Sequence, residues 1–397
     1  MVGLAHGLAQ LDGPDEFLFV VRDGETDWLE PFARGGVRLE RQARTDTAED
    51  RPRRPSPLAR IARRVRRSLE AAEPDRPTRP SGTGGSLPLR DPFVEALRPD
   101  VVHLPIQRGF RAAAPSIYHP HDLQHVHLPH FFGAGQIAWR ERWYGDLCRH
   151  AAMVAVASEW TRRDVVDHFG LPVDRVRVVP LAPPLAVTQT PTPAQRAEVR
   201  ARLEIPSRYI LYPAQTWPHK NHLRLLEALG RLQSERGLTV PLVATGRQTD
   251  HFAALERAAA QLQLTDQVRW TAFLQPDDLQ ALVTDATAVV IPTLFEAASA
   301  PLWEAWAAGV PAACSNVTSL PEQAGDAAIV FDPLDVDAIA RAIADLWEDE
   351  DLRGRLVERG RSRVAALSWD RTARIFRAHY RRLSGRLLSD DDRELTR

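Results

Sequence analysis

Two glutamates flank the predicted start of a helix. An apolar strand over residues 288–291 precedes a short loop that carries Glu296. The helix that follows starts near Pro301 and carries Glu304; it ends at Gly309, because proline suits a first helical turn and glycine the position past the end. Free amides at such a helix start can hold phosphate, and the two carboxylates can take hydroxyls, so the pattern suits a sugar nucleotide. A buried strand, turn and helix with two surface glutamates remains an alternative.

The composition excludes several classes of protein. The chain has 397 residues with 44% hydrophobic content, enough for two or three domains with their own cores. A net charge of −1 argues against a general nucleic-acid binder, so no nucleic-acid partner is predicted. Its two cysteines, Cys148 and Cys314, favour a reducing compartment. No apolar run of about 18 residues predicts a membrane helix, and no signal peptide is predicted, so the expected location is the cytoplasm.

The pair of glutamates also carries a family resemblance. The spacing Glu-x7-Glu, followed by Ala-x-Ala-Ala-Gly-Val-Pro, resembles the signature of family 4 of the retaining glycosyltransferases. The resemblance implies an α/β chain with the GT-B fold, in which two Rossmann-like domains face each other across a cleft. It implies that Glu304 holds the ribose of a nucleotide-sugar and that Glu296 contacts the transferred sugar. The backbone around Ala300, Pro301 and Leu302 would then approach the phosphates.

The match is incomplete at four positions. The family usually has glycines where this chain has Ala297 and Ser299, which leaves the loop less free to adopt positive φ. After the strand at 209–212, Lys220 matches the lysine that neutralises donor phosphate in the family. The usual arginine five residues earlier is Gln215, and Arg247 is a candidate to supply the missing charge. The usual glycine near 182 is Ala182. A surface residue at a helix entry is the structural alternative for Lys220.

A histidine-rich stretch provides a further candidate. His-Asp-Leu-Gln-His at 121–125 resembles a family segment that faces the cleft, which implies that His121 contacts the transferred sugar and that Asp122 places it. A histidine packed at a domain edge is the alternative. The neighbouring histidines lack the cysteines or carboxylates that would complete a metal site, so no metal is predicted.

The backbone after the strand at 268–273 would contact the base, which makes Phe273 a candidate donor-binding residue.

The chain divides into three predicted regions. Residues 1–182 form an acceptor-side Rossmann-like domain, 183–368 a nucleotide-sugar-binding domain, and 369–397 a helix that crosses back to the first domain, with a tail. A proline- and arginine-rich insertion at about 41–88 interrupts the first domain. Within it, apolar residues at helical spacing lie among arginines, which predicts a basic amphipathic helix. This helix is either solvated without a partner or a peripheral contact to anionic lipid at the inner face of the plasma membrane.

The start of the chain departs from the expected domain pattern. Residues 3–11 favour a helix and residues 16–21 a strand, whereas a Rossmann-like domain opens on a buried strand and a glycine-rich turn. We therefore expect the first strand to be absent, either because the true start lies upstream of Met1 or because the chain is naturally shortened. A form extended to an upstream start should be the more stable and active one.

The residues and the family resemblance together imply a retaining glycosyltransferase. It would move a hexose or deoxyhexose, mannose- or rhamnose-like, from a nucleotide-sugar to a growing cell-surface glycan or a lipid-linked acceptor. No cofactor beyond the donor substrate is predicted, since Lys220 and the helix start near Pro301 can offset the leaving diphosphate. Two alternatives stay open: a catalytically weakened pseudo-transferase that binds glycan or nucleotide, and a GT-B sugar-nucleotide epimerase or sucrose-phosphate-type synthase.

Overall fold

The computed structural model describes residues 2–22, 28–42, 90–187 and 190–396. The basic amphipathic helix predicted within the insertion lies outside these residues. The described chain forms two α/β domains, and each domain has a parallel sheet at its centre. The predicted α/β class is therefore confirmed.

The N-terminal domain contains two separate parallel sheets. Strands β1 (Phe17–Arg22) and β2 (Val37–Gln42) pair only with each other in the described residues. The main sheet has the order β3-β4-β5-β6, with β3 Val102–Leu104, β4 Ser116–Tyr118, β5 Met153–Val156 and β6 Val176–Val178. The helices are Val2–Leu8, Pro92–Ala96, Gln124–His127, Ala134–His150 and Glu159–Phe169.

Strand β1 matches the strand predicted at 16–21, but it does not join the main sheet. Its side chains alternate between two environments, as expected for a strand with one covered face. Leu18 and Val20 are 36% and 37% exposed, whereas Phe17 and Phe19 pack on a buried cluster that includes Phe376. A strand at the centre of a parallel sheet would be covered on both faces.

The C-terminal domain is built on one six-stranded parallel sheet, in the order β12-β11-β10-β7-β8-β9. Its strands are β7 (Ile210–Pro213), β8 (Leu242–Thr245), β9 (Val268–Trp270), β10 (Ala288–Ile291), β11 (Ala312–Ser315) and β12 (Ile329–Phe331). Its helices are Pro193–Leu203, His222–Arg236, Phe252–Gln261, Pro276–Asp285, Ala300–Ala307, Leu320–Ala324, Val336–Glu348 and Glu350–Val364. Strands β8, β10 and β11 are buried along their whole length, as in sheets covered by helices on both faces.

The order of this sheet positions the candidate site. Strand β10 pairs directly with β7, with Val289 opposite Leu211. The loops that leave the carboxyl ends of neighbouring parallel strands meet at one edge of the sheet. The loop that carries Lys220 and the loop that carries Glu296 are therefore neighbours, although 76 positions separate the two residues.

The helix Trp369–Leu383, here the crossover helix, packs on the N-terminal domain. Its Phe376 lies in one buried cluster with Leu4 of the first helix and Ile117 of β4. The first helix approaches so closely that a Cβ on Gly7 would lie 2.3 Å from the carbonyl oxygen of Trp369. Glycine is thus required by packing at this position. A helix Asp390–Leu395 follows and packs on the crossover helix.

None of the helices in the described ranges is both long and apolar enough to cross a membrane. Cys148 and Cys314 are both free and buried.

Candidate active site

The loop between β10 and the helix Ala300–Ala307, here the signature helix, is held by hydrogen bonds to its backbone. The carbonyl oxygen of Glu296 accepts from Thr318 Oγ1 at 2.6 Å and from Ser319 Oγ at 2.7 Å. Gln323 Oε1 accepts from the backbone N–H of Ser299 at 2.8 Å. These contacts fix the position of Glu296 from a segment that follows it by more than 20 residues.

The two residues that replace the family's glycines do not strain this loop. Neither Ala297 nor Ser299 adopts positive φ. Ser299 is the N-cap residue of the signature helix with an extended backbone, and its side chain makes no capping bond. Its Oγ is buried without a hydrogen-bond partner. The side chain of the N-cap residue therefore takes none of the backbone N–H groups in the first turn of the signature helix.

Lys220 and Glu296 form an ion pair in the cleft, with Nζ 2.8 Å from Oε2. Their side chains are 21% and 17% exposed, so the pair is largely shielded from water. Two neighbouring contacts hold Lys220 in place: Tyr212 Oη donates to its carbonyl oxygen at 2.8 Å, and Asn221 Nδ2 donates to the carbonyl of Pro292 at 2.8 Å. The resemblance implies that Lys220 binds the donor phosphate and that Glu296 contacts the transferred sugar, whereas here the two side chains neutralise each other.

Glu304 lies in a different environment, although it belongs to the same motif. It is only 7% exposed on the signature helix. Burial raises the pKa of its carboxyl group to about 7, and a hydrogen bond from the backbone N–H of Leu185 opposes that rise only in part. Leu185 lies in the segment that links the two domains. The carboxyl group of Glu304 thus faces the interdomain linker.

A cavity of about 290 Å³ brings the three candidate catalytic residues together. His121 lines it from the N-terminal domain, and Lys220 and Glu296 line it from the C-terminal domain. His119 and His219 also line it.

His121 is held in the cavity by its backbone and by a carbonyl group. Its φ of 62° lies in the left-handed region, which costs a residue other than glycine about 1–3 kcal/mol. Its Nε2 donates to the carbonyl oxygen of Pro105 at 2.9 Å. Asp122, expected to place this ring, instead accepts from the backbone N–H of Gln124 at 3.0 Å and from Arg140 at 3.4 Å. The carboxylate thus binds the first backbone N–H of the short helix Gln124–His127, and it has no hydrogen bond to the imidazole among the described residues.

The candidate donor-binding residues do not line this cavity. Leu302 is fully buried, backbone and side chain alike, whereas Ala300 and Pro301 at the start of the signature helix are partly exposed. Phe273 is 68% exposed beyond the end of β9.

The loop that carries Gln215 runs beside the loop that carries Arg247. Gln215 is exposed, and its Oε1 accepts from Trp217 Nε1 at 3.0 Å. The N–H of Thr216 donates to the carbonyl oxygen of Arg247 at 3.1 Å. The structure therefore brings Arg247, itself exposed, close to the position of the missing arginine.

Sequence analysis missed the contacts that join the two domains. Ser158 of the N-terminal domain follows strand β5 by two residues. It caps the helix Glu159–Phe169, and its Oγ also donates to the carbonyl oxygen of Ala297 at 3.0 Å. Glu322 accepts from the backbone amides of Glu159 and Trp160 at 2.8 and 2.9 Å. An N-cap serine is visible in the sequence, but its partner in the other domain is not.

No group of three or more histidine, cysteine, aspartate or glutamate side chains among the described residues is arranged to hold a metal ion.

Two family models together match most of the chain. The model described as Glycosyltransferase Family 4 matches residues 4–182, and the model described as Glycosyl transferases group 1 matches residues 195–363. The boundary between them lies in the segment that joins the two domains.

Curated relatives agree with these matches. The chain is 29% identical over 252 residues to the O-antigen chain mannosyltransferase B of Escherichia coli, covering 63% of this chain and 66% of that protein. It is 28% identical over 249 residues to the MMP alpha-(1->4)-mannosyltransferase of Mycolicibacterium hassiacum, covering 59% of this chain and 57% of that protein. The chain thus spans about two thirds or less of the length of these relatives.

Solved structures show the same fold at low sequence identity. The protein HepE of Anabaena in complex with UDP and glucose matches with a TM-score of 0.64 at 14% identity, over 92% of this chain and 99% of that one. Sucrose-phosphate synthase from Thermosynechococcus elongatus matches with a TM-score of 0.60 at 21% identity, over 74% and 77%. The predicted GT-B fold is confirmed. The signature residues, the two matched models and the fold show that this chain belongs to glycosyltransferase family 4.

Proposed function

We propose that this chain is a retaining glycosyltransferase. It transfers a hexose or deoxyhexose, mannose- or rhamnose-like, from a nucleotide-sugar to a growing cell-surface glycan or a lipid-linked acceptor. The observation that carries the proposal is the ion pair between Lys220 and Glu296 in a cleft lined by both domains. The mannosyltransferase names of the curated relatives support the class of sugar.

The ion pair supports a partner exchange when the donor enters. Lys220 forms an ion pair with the diphosphate of the donor in place of Glu296. Glu296 is then free to accept a hydrogen bond from a hydroxyl group of the transferred sugar. Negative charge grows on the diphosphate as the glycosidic bond breaks, so a fixed cation beside it stabilises the transition state more than the ground state. The amides at the start of the signature helix add a partial positive charge on the same side.

The proposal assigns the remaining parts of the donor to residues outside the cavity. Glu304 would hold the ribose, the backbone of Ala300 and Pro301 would approach the phosphates, and Phe273 would lie beside the base. Because Lys220, the helix start and Arg247 are assigned the charge of the diphosphate, the proposal includes no metal ion.

A donor panel tests the proposed function. The full chain is incubated with UDP-, GDP- and dTDP-hexoses and deoxyhexoses, with and without glycan acceptors, and released nucleoside diphosphate is measured. We expect turnover with one class of donor and a product that keeps the anomeric configuration, observed by proton NMR. Nucleotide binding without turnover would identify a pseudo-transferase instead. A donor that returns as its epimer would identify an epimerase.

The exchange of partners has its own test, because Lys220 is the only lysine in the sequence. Lysine labelled with ¹³C at Cε gives a single side-chain signal, which reports directly on the cleft. We expect that signal to move when a nucleoside diphosphate binds. A signal that stays in place while calorimetry detects binding would separate Lys220 from the phosphates.

We propose in addition that the basic segment at 58–69 contacts anionic membrane lipid. Its arginines surround apolar residues at helical spacing, which suits a surface helix on lipid. Deleting residues 45–85 should leave turnover on a short water-soluble acceptor unchanged and reduce sedimentation with anionic liposomes, most clearly at low salt. Equal liposome binding by the full and the shortened chain would reject this role.

A further inference from the structure

A chain of hydrogen bonds runs from the crossover helix to the cleft. Tyr380 Oη lies 2.6 Å from His103 Nδ1, and His103 Nε2 lies 2.8 Å from His119 Nε2. Tyr380 belongs to the crossover helix, His103 to β3, and His119 follows β4 directly. His119 lines the 290 Å³ cavity that also contains Lys220 and Glu296. Three residues that are distant in the sequence thus form one line that ends in the cleft.

Aromatic packing fixes the geometry of this line. The ring of Phe376 lies 4.7 Å from that of His103 and 5.6 Å from that of His119, measured between centroids. The two imidazoles stack at 4.9 Å with an interplanar angle of 24°. Both histidines are neutral in this environment. Burial and the nearby His121 lower the pKa of His103 to about 3; burial, His103 and His121 hold the pKa of His119 well below its usual value.

When two neutral imidazoles share a hydrogen bond, one ring donates and the other accepts, because each ring carries only one N–H. If His103 donates from Nε2, its Nδ1 accepts from the hydroxyl of Tyr380, and all three groups are satisfied. In the opposite direction Tyr380 would accept from His103, and its own hydroxyl proton would need another acceptor. No second partner of the Tyr380 hydroxyl exists among the described residues. The hydroxyl of Tyr380 therefore favours the arrangement in which His103 donates from Nε2 to His119.

The selected direction decides what His119 presents to the cleft. Its Nε2 accepts from His103, so its proton is on Nδ1. Within the described ranges this nitrogen has no hydrogen-bond partner of its own. We propose that His119 contacts substrate, donating from Nδ1–H to a hydroxyl oxygen of a sugar in the cleft, and that His103 and Tyr380 are positioning residues that fix this tautomer. The inference rests on the proposed function, which supplies the sugar.

The tautomer can be observed without any activity measurement. The full chain is labelled with ¹⁵N-histidine, and the ring signals of His119 are assigned with a His119→Asn variant. We expect a protonated Nδ1 in the wild-type chain. Tyr380→Phe should remove the preference and shift the His119 signals toward the other tautomer. Tyr209→Phe is the matched control, since the Tyr209 hydroxyl donates to the carbonyl oxygen of Leu282 in the other domain.

Two results would overturn the positioning role. One is a wild-type His119 that carries its proton on Nε2. The other is a Tyr380→Phe variant in which the His119 signals stay at their wild-type positions. Because these readouts need no sugar donor, they decide this point even if the proposed transferase activity fails.

Kinetics test the substrate contact. His119→Leu should raise the KM for the sugar substrate roughly tenfold, the size of one lost hydrogen bond, and leave the Kd of the free nucleoside diphosphate unchanged. His119→Asn should recover part of the loss, because its amide keeps a donor near the Nδ1 position. A contact to the donor sugar lowers donor hydrolysis and transfer alike, whereas a contact to the acceptor lowers transfer alone. Wild-type kinetics in His119→Leu would overturn the substrate contact and leave the proposed function standing.

Discussion

Glu296 and Glu304 lie eight positions apart in one motif, yet they occupy opposite environments. Glu296 projects into the cleft from a loop and forms an ion pair with Lys220 at 2.8 Å. Glu304 is buried on the signature helix and faces the backbone of the interdomain linker, and its pKa is raised to about 7. One carboxylate has a cation beside it, and the other has only a backbone amide.

The environment of each carboxylate, more than its place in the motif, determines what that carboxylate can do. A charged group next to a cation at a cavity wall can exchange that cation for substrate. A buried carboxyl group without a cation can accept a hydrogen bond from a neutral hydroxyl or donate one to it. A ribose carries such neutral hydroxyls. We therefore expect substitution of Glu296 to change kcat, and substitution of Glu304 to change the affinity for the nucleotide.

The largest expected effect comes from removing the cation. Lys220→Ala should lower kcat by about 10²–10³-fold, comparable to the loss of one preorganised donor to a developing negative charge. Affinity for the donor should change less, because the charge that Lys220 stabilises grows in the transition state. Steady-state kinetics together with calorimetry separate the two quantities.

Lys220→Arg is the matched control, since it keeps the charge and changes the shape of the group. The chain uses arginine at every other basic position apart from histidine, so an arginine that fully replaced Lys220 would show that any cation suffices. We expect only partial recovery, because a planar guanidinium does not reproduce the compact ammonium group. Full turnover in Lys220→Ala would make the ion pair purely structural.

The second effect concerns pH and distinguishes the two glutamates by stability. The carboxyl group of Glu304 has a folded-state pKa of about 7, above its usual value of 4.5. Its protonated form stabilises the fold fully below about pH 4.5, and this contribution is lost as pH rises to about 7. Glu304→Gln cannot ionise, so its free energy of unfolding should exceed that of the wild type by up to about 3 kcal/mol above pH 7.

Urea unfolding at pH 5 and pH 8 measures this difference. Glu256→Gln, an exposed glutamate on the helix Phe252–Gln261, is the control for removing a carboxylate without burial. Parallel pH profiles for Glu304→Gln and the wild type would contradict the buried, uncompensated state of Glu304.

A smaller effect tests how each glutamate is held. Glu296 depends on side chains that bind its carbonyl oxygen, whereas Glu304 depends on the helix. Ser319→Ala removes one of these donors, a hydrogen bond that contributes about 0.5–1.5 kcal/mol to holding the loop in place. We expect the less precisely placed Glu296 to lower kcat a few-fold. Nucleotide affinity should remain unchanged. An equal loss of affinity would show that the loop and the signature helix move as one unit.

The C-terminal domain was the more predictable part of the molecule. Strands β8, β10 and β11 are buried along their whole length, and β10 matches the strand predicted at 288–291. The crossover helix, which follows this domain, begins at the predicted residue 369. Local pattern is sufficient for such strands because they are covered on both faces. In the N-terminal domain, the strand predicted at 16–21 forms as β1, but it pairs only with β2 in the described residues. Pairing partners depend on packing, which a local pattern does not encode.

The candidate site was predictable by residue but not by contact. Glu296, Lys220 and His121 were each identified from the sequence, and the structure places them around one cavity. The direct pairing of Lys220 with Glu296 was not predicted, since it follows from the order of β10 and β7 in the sheet. The link between His103 and Tyr380 spans 277 positions and depends on how the crossover helix docks. Such contacts arise only once the domains are folded and packed.

The comparison of the two glutamates has one direct test. Glu296→Ala and Glu304→Ala are measured side by side, with kcat at saturating donor from nucleotide release and Kd for the nucleoside diphosphate from calorimetry. We predict that Glu296→Ala loses at least roughly tenfold in kcat with an unchanged Kd. Glu304→Ala should weaken the binding free energy of the nucleoside diphosphate by about 1–3 kcal/mol and keep most of the wild-type kcat. Identical losses in both variants, or the reverse assignment, would contradict this division of roles.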